Sequence, residues 1–302
     1  MIRPKFKLKI KGMKVSDAFE EFLDAKLAGG ASTETLRAYR CHFGAVSRFL
    51  DVKIPIEDLT DAALRRMVAQ MAKTDLSRNS IRSYTATLHS FTSWMREEGI
   101  CDAQIALFKG EESIPTTYSM DELKRLLKRP FRRCTFCELR NWTIVNLLVN
   151  NGCRAASVRA MQVKDVNLDQ KVILLRHTKR RKAQAIPLSP ALAEIFEDYL
   201  EIRRGDPEDA LFPDSVGAFM SANCLRNAIL RYNESRGVHT HSIHAFRHTF
   251  ARLYLVECNG NALKLQRLLG HSTLDMTKKY VKLYDEDLIK DFQKTSPLSV
   301  IK

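Results

Sequence analysis

Apolar residues recur at three- and four-residue steps over most of this chain, and those steps divide it into helices. The first hundred residues predict four: Val15 to Lys26, Thr33 to Leu50, Asp61 to Ala72 and Arg78 to Glu98. The second carries Leu36, Tyr39, Phe43, Val46 and Leu50 as one stripe, and the fourth carries Ile81, Tyr84, Leu88, Phe91 and Met95. Four such stripes can be buried only against one another, which predicts a small helical bundle. Before it, residues 1–14 alternate basic and apolar positions and read as a solvated basic extension that orders only against a partner. After Gly99 the periodicity dissolves through Cys101 to Thr117, with Gly110 and Pro115, and this stretch reads as a linker.

A second domain, 118–302, opens with the capping pair Ser119 and Glu122 on a helix to Lys128. Trp142 to Asn150 is apolar nearly all round, as a fully buried helix is, and ends at Asn151-Gly152. Three strand-like runs follow, near Val163–Val166, Val172–Leu175 and Gln184–Leu188, the last two joined by a basic tip from Lys179 to Lys182. Ser189-Pro190 starts a helix to Arg203, Ala222 to Arg236 forms another, and Ser242 caps a third. Asn261 to Leu269 stops at Gly270, a residue suited to a left-handed cap, and Ser272 with Asp275 starts the next helix. The fold class is therefore α+β, mostly α, with one small antiparallel sheet.

Charge narrows the partners. Lys plus Arg number 49 against 35 Asp plus Glu, a formal charge of +14, which suits a polyanion such as nucleic acid or an anionic membrane surface. The bundle faces opposite the stripes carry Arg37, Arg40, Arg48, Arg78, Arg82 and Arg96, placed to meet phosphates if the bundle lies on DNA. Trp142 to Val149 is too short to cross a bilayer, and residues 1–14 lack the continuous apolar core of a signal peptide. Seven scattered cysteines fit reduced thiols in a cytoplasm, and the one CxxC, Cys134 and Cys137, has no second pair at zinc-site spacing.

The chemistry collects in HAFRHTFARLYLVECNGNALKLQRLLGHSTLDMTKKY, from His244 to Tyr280. His244 and Arg247 are three apart and share a helix face, His271 follows Gly270 in a turn, and Tyr280 sits two turns into the next helix. Metal-free attack on a phosphodiester asks for such a set. A phenol with an ordinary pKa near ~10 needs a group to take its proton. Charge gathering on the nonbridging oxygens is best met by guanidinium donors, and the departing 5′ oxygen needs a general acid such as lysine. Arg154 and Arg247 fit the clamp, Lys179 the acid with Lys182 as its alternate, His244 and His271 the relay, and Tyr280 the nucleophile. Tyr284, four residues on, is the rival nucleophile, and His248 reads as a packed residue. A metal nuclease would need a carboxylate cluster; Asp206, Glu208 and Asp209 fall in a loop, and Asp285, Glu286 and Asp287 read as solvated helix residues.

HAFRHT, LLGH and a tyrosine nine residues after His271 resemble the tyrosine recombinase family, the lambda-type integrases and their relatives. NGCRAASVRAMQVKDVNL resembles the family's first arginine box through Arg154, and HTKRRKAQAIPL its hairpin lysine through Lys179, so the resemblance covers about Val15 to Tyr284 and fills six catalytic positions. One departure is Ser157, where many relatives have an acidic residue three after the first arginine. The resemblance implies a helical core-DNA-binding domain at 15–100 and a catalytic domain with C-terminal tail at 118–302. It further implies site-specific recombination through a 3′-phosphotyrosyl link, a homo-tetramer on two DNA duplexes, an accessory directionality factor in some systems, and no cofactor. The alternatives are relaxation of one duplex in the manner of a type IB topoisomerase, and a DNA-binding regulator with a dead site.

Overall fold

The computed structural model describes residues 12–111, 115–131, 133–176, 183–240 and 242–270. The chain divides into two compact units, 1–113 and 114–302.

In the first unit α1 (Val15–Ala28), α2 (Thr33–Val46), α3 (Asp61–Ala72) and α4 (Arg78–Glu97) form a bundle. Three of these helices start on a hydroxyl that accepts a backbone N–H: Ser32 from Thr35, Thr60 from Ala63 and Ser77 from Ser80. The predicted stripes meet inside. Phe19 stacks on Phe43 with centroids 3.8 Å apart and meets Phe91 edge-on at 5.2 Å, a geometry that adds attraction to the area buried. α2 ends at Val46, short of the expected Leu50, because the chain turns at Ser47, whose hydroxyl donates to the Gly44 carbonyl. Leu50 is still buried.

Residues 101–111 lie along this bundle. Ala103 and Ile105 are buried in its core, the Phe108 N–H donates to Thr85 Oγ1, and Arg78 sits over the Phe108 ring. Arg37, Arg40, Arg48, Arg78, Arg82 and Arg96 are all exposed. Two already hold carboxylates, Arg40 with Glu20 and Arg78 with Glu111, pairs that exposure to water makes weak.

The second unit is built around α6 (Phe136–Asn151), which packs against α8 (Pro190–Arg203), α9 (Ala222–Ser235) and α10 (Ile243–Arg252), with α5 (Met120–Leu127) beside it. α5 starts on the predicted reciprocal cap of Ser119 and Glu122. The short α7 (Ala155–Arg159) and α11 (Ala262–Leu269) complete the helices among the described residues. The sheet is antiparallel in the order β1 (Val166–Asn167), β2 (Val172–Leu175), β3 (Gln184–Pro187), with Leu175 opposite Gln184.

The expected strand at Val163–Val166 is a 3-10 turn over Val163–Asp165, and only Val166 joins the sheet. Asp165 explains the difference: its carboxylate accepts the Gln162 N–H at 2.9 Å, and a side chain that bonds locally competes with a ladder. α10 also ends differently from its pattern, in a π-helical turn over Leu253–Glu257. No described helix is long and apolar enough to cross a membrane.

Candidate active site

The two candidate arginines come from well-separated parts of the second unit's sequence and reach one helix end. α6 is closed by Gly152 in the left-handed conformation, φ 59°, which turns the chain back at once. Arg154 follows as the residue preceding α7, where its side chain lies beside the C-terminus of α11. Arg247 projects from the middle of α10 and is only 7% exposed. α10 is itself held in place by Tyr118, whose ring stacks on Phe246 at 4.2 Å and whose N–H donates to Thr249 Oγ1 at 2.8 Å.

A helix leaves its last carbonyls without intrahelical partners, and α11 satisfies them with side chains from three other elements. Gln184 Nε2, on β3, donates to the carbonyls of Arg267 at 2.8 Å and Leu268 at 3.0 Å. Arg247 Nη2 donates to Leu269 O at 2.8 Å, and Arg154 Nη2 to Gly270 O at 3.3 Å. Arg247 Nη1 meanwhile donates to Gly152 O at 2.8 Å, so one guanidinium ties the end of α6 to the end of α11. Four consecutive carbonyls, Arg267 to Gly270, thus accept from three side chains, and His271 is the next residue in the chain.

This arrangement answers the departure at Ser157: the carbonyl of Gly270 is a partner that orients Arg154 without a carboxylate there. His244 lies in the first turn of α10, one turn before Arg247, and is exposed. His248 is half-buried. Lys179 and its alternate Lys182, His271, Tyr280 and its rival Tyr284 lie outside the described residues. The legs of the hairpin that carries Lys179 are described. β2 is followed by Arg176, whose Nε donates to the buried Asp165 carboxylate at 2.5 Å, and β3 begins with Gln184. The roles of Gln184 and Tyr118 at this site carry no signal in the sequence, because both depend on partners more than 80 residues away.

Cys153, between Gly152 and Arg154, is buried, and burial pushes its thiol up to about 12 against the opposing pull of Arg247 and Arg154. A folded-state pKa raised above the ordinary thiol value of 9.0 means stability present below that value and lost as pH rises through it. Tyr118, Tyr199 and Tyr232 are raised by burial too, but their losses begin above the ordinary phenol value of 10.0. Between these two values the melting temperature of the wild-type chain should therefore fall more steeply than that of Cys153→Ala; parallel slopes would contradict the assignment. Among the described residues no group of three or more His, Cys, Asp or Glu is gathered as metal ligands would be.

The sequence profile of the phage integrase family matches residues 116–287, and that of the phage integrase N-terminal SAM-like domain matches residues 17–99. The tyrosine recombinase XerA of Thermococcus kodakarensis is 30% identical over 286 residues, covering 93% of this chain and 94% of its own. The tyrosine recombinase XerC of Thermodesulfovibrio yellowstonii is 26% identical over 287 residues, covering 91% and 94%. Among solved structures, the Tn1549 transposon integrase in complex with transposon right end DNA superposes with a TM-score of 0.72 at 18% identity, covering 89% of this chain and 94% of that one. A lambda integrase tetramer bound to a Holliday junction superposes with a TM-score of 0.68 at 19% identity, covering 89% and 77%. The chain therefore belongs to the phage integrase family, the tyrosine recombinases, enzymes that cut and rejoin DNA strands in site-specific recombination.

Proposed function

We propose that this chain recombines specific DNA sites by attack of Tyr280 on a phosphodiester, with Arg154, Lys179, His244, Arg247 and His271 completing the site. The observation that carries the reading is the convergence of Arg154 and Arg247 on successive carbonyls, Gly270 and Leu269, immediately before His271. Two guanidinium groups so placed present hydrogen-bond donors side by side, the geometry that suits two nonbridging phosphate oxygens. As the phenol attacks, negative charge grows on those oxygens, and fixed donors stabilise it without reorganising.

Each proton has a destination in this scheme. The Tyr280 proton passes to His244 or His271, and Lys179 protonates the 5′ oxygen as it leaves. The P–O bond to that oxygen breaks while the P–O bond to the tyrosine forms, leaving a 3′-phosphotyrosyl link and a free 5′ hydroxyl. One phosphodiester is exchanged for another, so a 5′ hydroxyl from a second duplex can reverse the step without an energy source. The working unit in this reading is a homo-tetramer on two DNA duplexes in the cytoplasm, with an accessory directionality factor where one direction is imposed. The basic helix faces of the first unit and the +14 charge of the chain supply the sequence-independent attraction to the DNA backbone.

The test uses a nicked suicide duplex carrying the site that the wild-type chain enriches from a random-sequence duplex library. Wild type in EDTA should give a denaturation-resistant protein–DNA adduct, and Tyr280→Phe should give none. An adduct that needs added metal, or one that persists in Tyr280→Phe, would contradict the proposal. Nicking and relaxation of any supercoiled duplex without exchange between sites would move the reading to a topoisomerase.

A further inference from the structure

The side chain that holds the end of α11 together with the two arginines is Gln184, and neither the family reading nor the proposed chemistry assigns it a task. Its place in the chain gives it one. Gln184 is the first residue of β3, the strand that leaves the Lys179 hairpin, and its amide nitrogen spans the carbonyls of Arg267 and Leu268. The amide has two hydrogens and the helix end offers two acceptors, so the pairing is complete. Its oxygen lies over Gly270, 2.7 Å from the point where a Cβ would stand, so the left-handed glycine and the glutamine fit against each other.

The other leg of the hairpin is anchored separately, Arg176 holding the buried Asp165. With both legs fixed, the base of the hairpin has two different ties: β2 to the turn before the sheet, and β3 to the helix that leads into His271. Only the second links two parts of the candidate site. The geometry points to Gln184 as a positioning residue of the recombination reaction, coupling the strand that leaves the Lys179 hairpin to the α11 end that precedes His271. This rests on the proposed roles of Arg154, Lys179, His271 and Tyr280. It requires an N–H donor at this position rather than bulk, since the partners are carbonyl oxygens.

The test measures single-turnover adduct formation on the nicked duplex at saturating protein, alongside the apparent Kd for the same duplex and the melting temperature. Gln184→Met keeps the volume and loses the donor. It should slow cleavage by ~10- to 100-fold, the scale of a small misplacement of reacting groups, with Kd unchanged. Gln184→Lys restores N–H donors at a helix C-terminus, where a cation is favoured, and should recover most of the rate. Cleavage by Gln184→Met at the wild-type rate would overturn the proposal, as would a loss mirrored in Kd. So would a Gln184→Lys variant as slow as Gln184→Met, which would make side-chain shape the requirement. Tyr280→Phe run in parallel separates the two readings. If wild type forms no adduct, or Tyr280→Phe still forms one, both readings fall; if only Gln184→Met behaves as wild type, the role of Gln184 falls alone.

Discussion

Arg247→Ala is expected to lose ~100- to 1,000-fold in strand cleavage and, separately, ~3 kcal/mol of folding stability. The stability loss follows from what the guanidinium holds. Arg247 is buried and donates to Gly152 O and Leu269 O, both at 2.8 Å, so truncation strips both carbonyls of this donor and leaves a cavity in its place. Arg247→Lys should keep the charge but not the function. An ammonium is a point donor on a flexible stem and cannot reproduce a planar fork that reaches two carbonyls at once. Chemical denaturation measures the first loss and single-turnover adduct formation the second. A lysine variant that cleaves at the wild-type rate would show that charge alone suffices.

Gly152→Ala is expected to cost ~2 to 4 kcal/mol, combining left-handed backbone strain with overpacking. At φ 59° any L side chain is strained, and the added Cβ would stand 2.6 Å from Phe250 Cδ1 and 2.9 Å from Leu269 Cδ2. Both neighbours are packed, Phe250 and Leu269 belonging to one small core with Ala251 and Leu265. Any shift of Leu269 moves the end of α11, and with it the carbonyls that Arg154 and Arg247 hold. Gly217→Ala is the control, because its φ of 88° is equally left-handed while nothing lies within 4 Å of its Cβ position. It should lose only the strain, ~1 kcal/mol. Equal losses at the two glycines, by thermal or urea unfolding, would remove the packing argument.

Much of the fold is legible from local rules. Hydroxyl caps at Ser32, Thr60, Ser77, Ser119 and Ser189 start helices where the stripes begin, and the all-round apolar run of α6 is buried as such a run must be. The misses are local too: Val163 looked like a strand because its apolar spacing is silent about an aspartate bonding the preceding turn. The π-helical turn after Arg252 has no signature in a short stretch.

The candidate site divides differently. Residue types and spacings name Arg154, His244 and Arg247, since a motif needs only sequence order. What no spacing reveals is that Arg154 and Arg247 meet the end of α11. Those contacts join residues 116 and 22 apart, and the contact of Arg247 with Gly152 joins residues 95 apart. Gln184 escapes a sequence reading for the same reason, as a polar residue opening a strand whose partners arrive 83 and 84 positions later.

The most direct test of the central claim is to locate the covalent bond itself. The wild-type adduct on the nicked duplex would be trimmed with nuclease and digested with protease, and the nucleotide-bearing peptide sequenced by mass spectrometry. The account predicts a 3′-linked nucleotide phosphate on Tyr280, in a peptide where Tyr284 is unmodified. A nucleotide on Tyr284, or one joined through its 5′ phosphate, would contradict it.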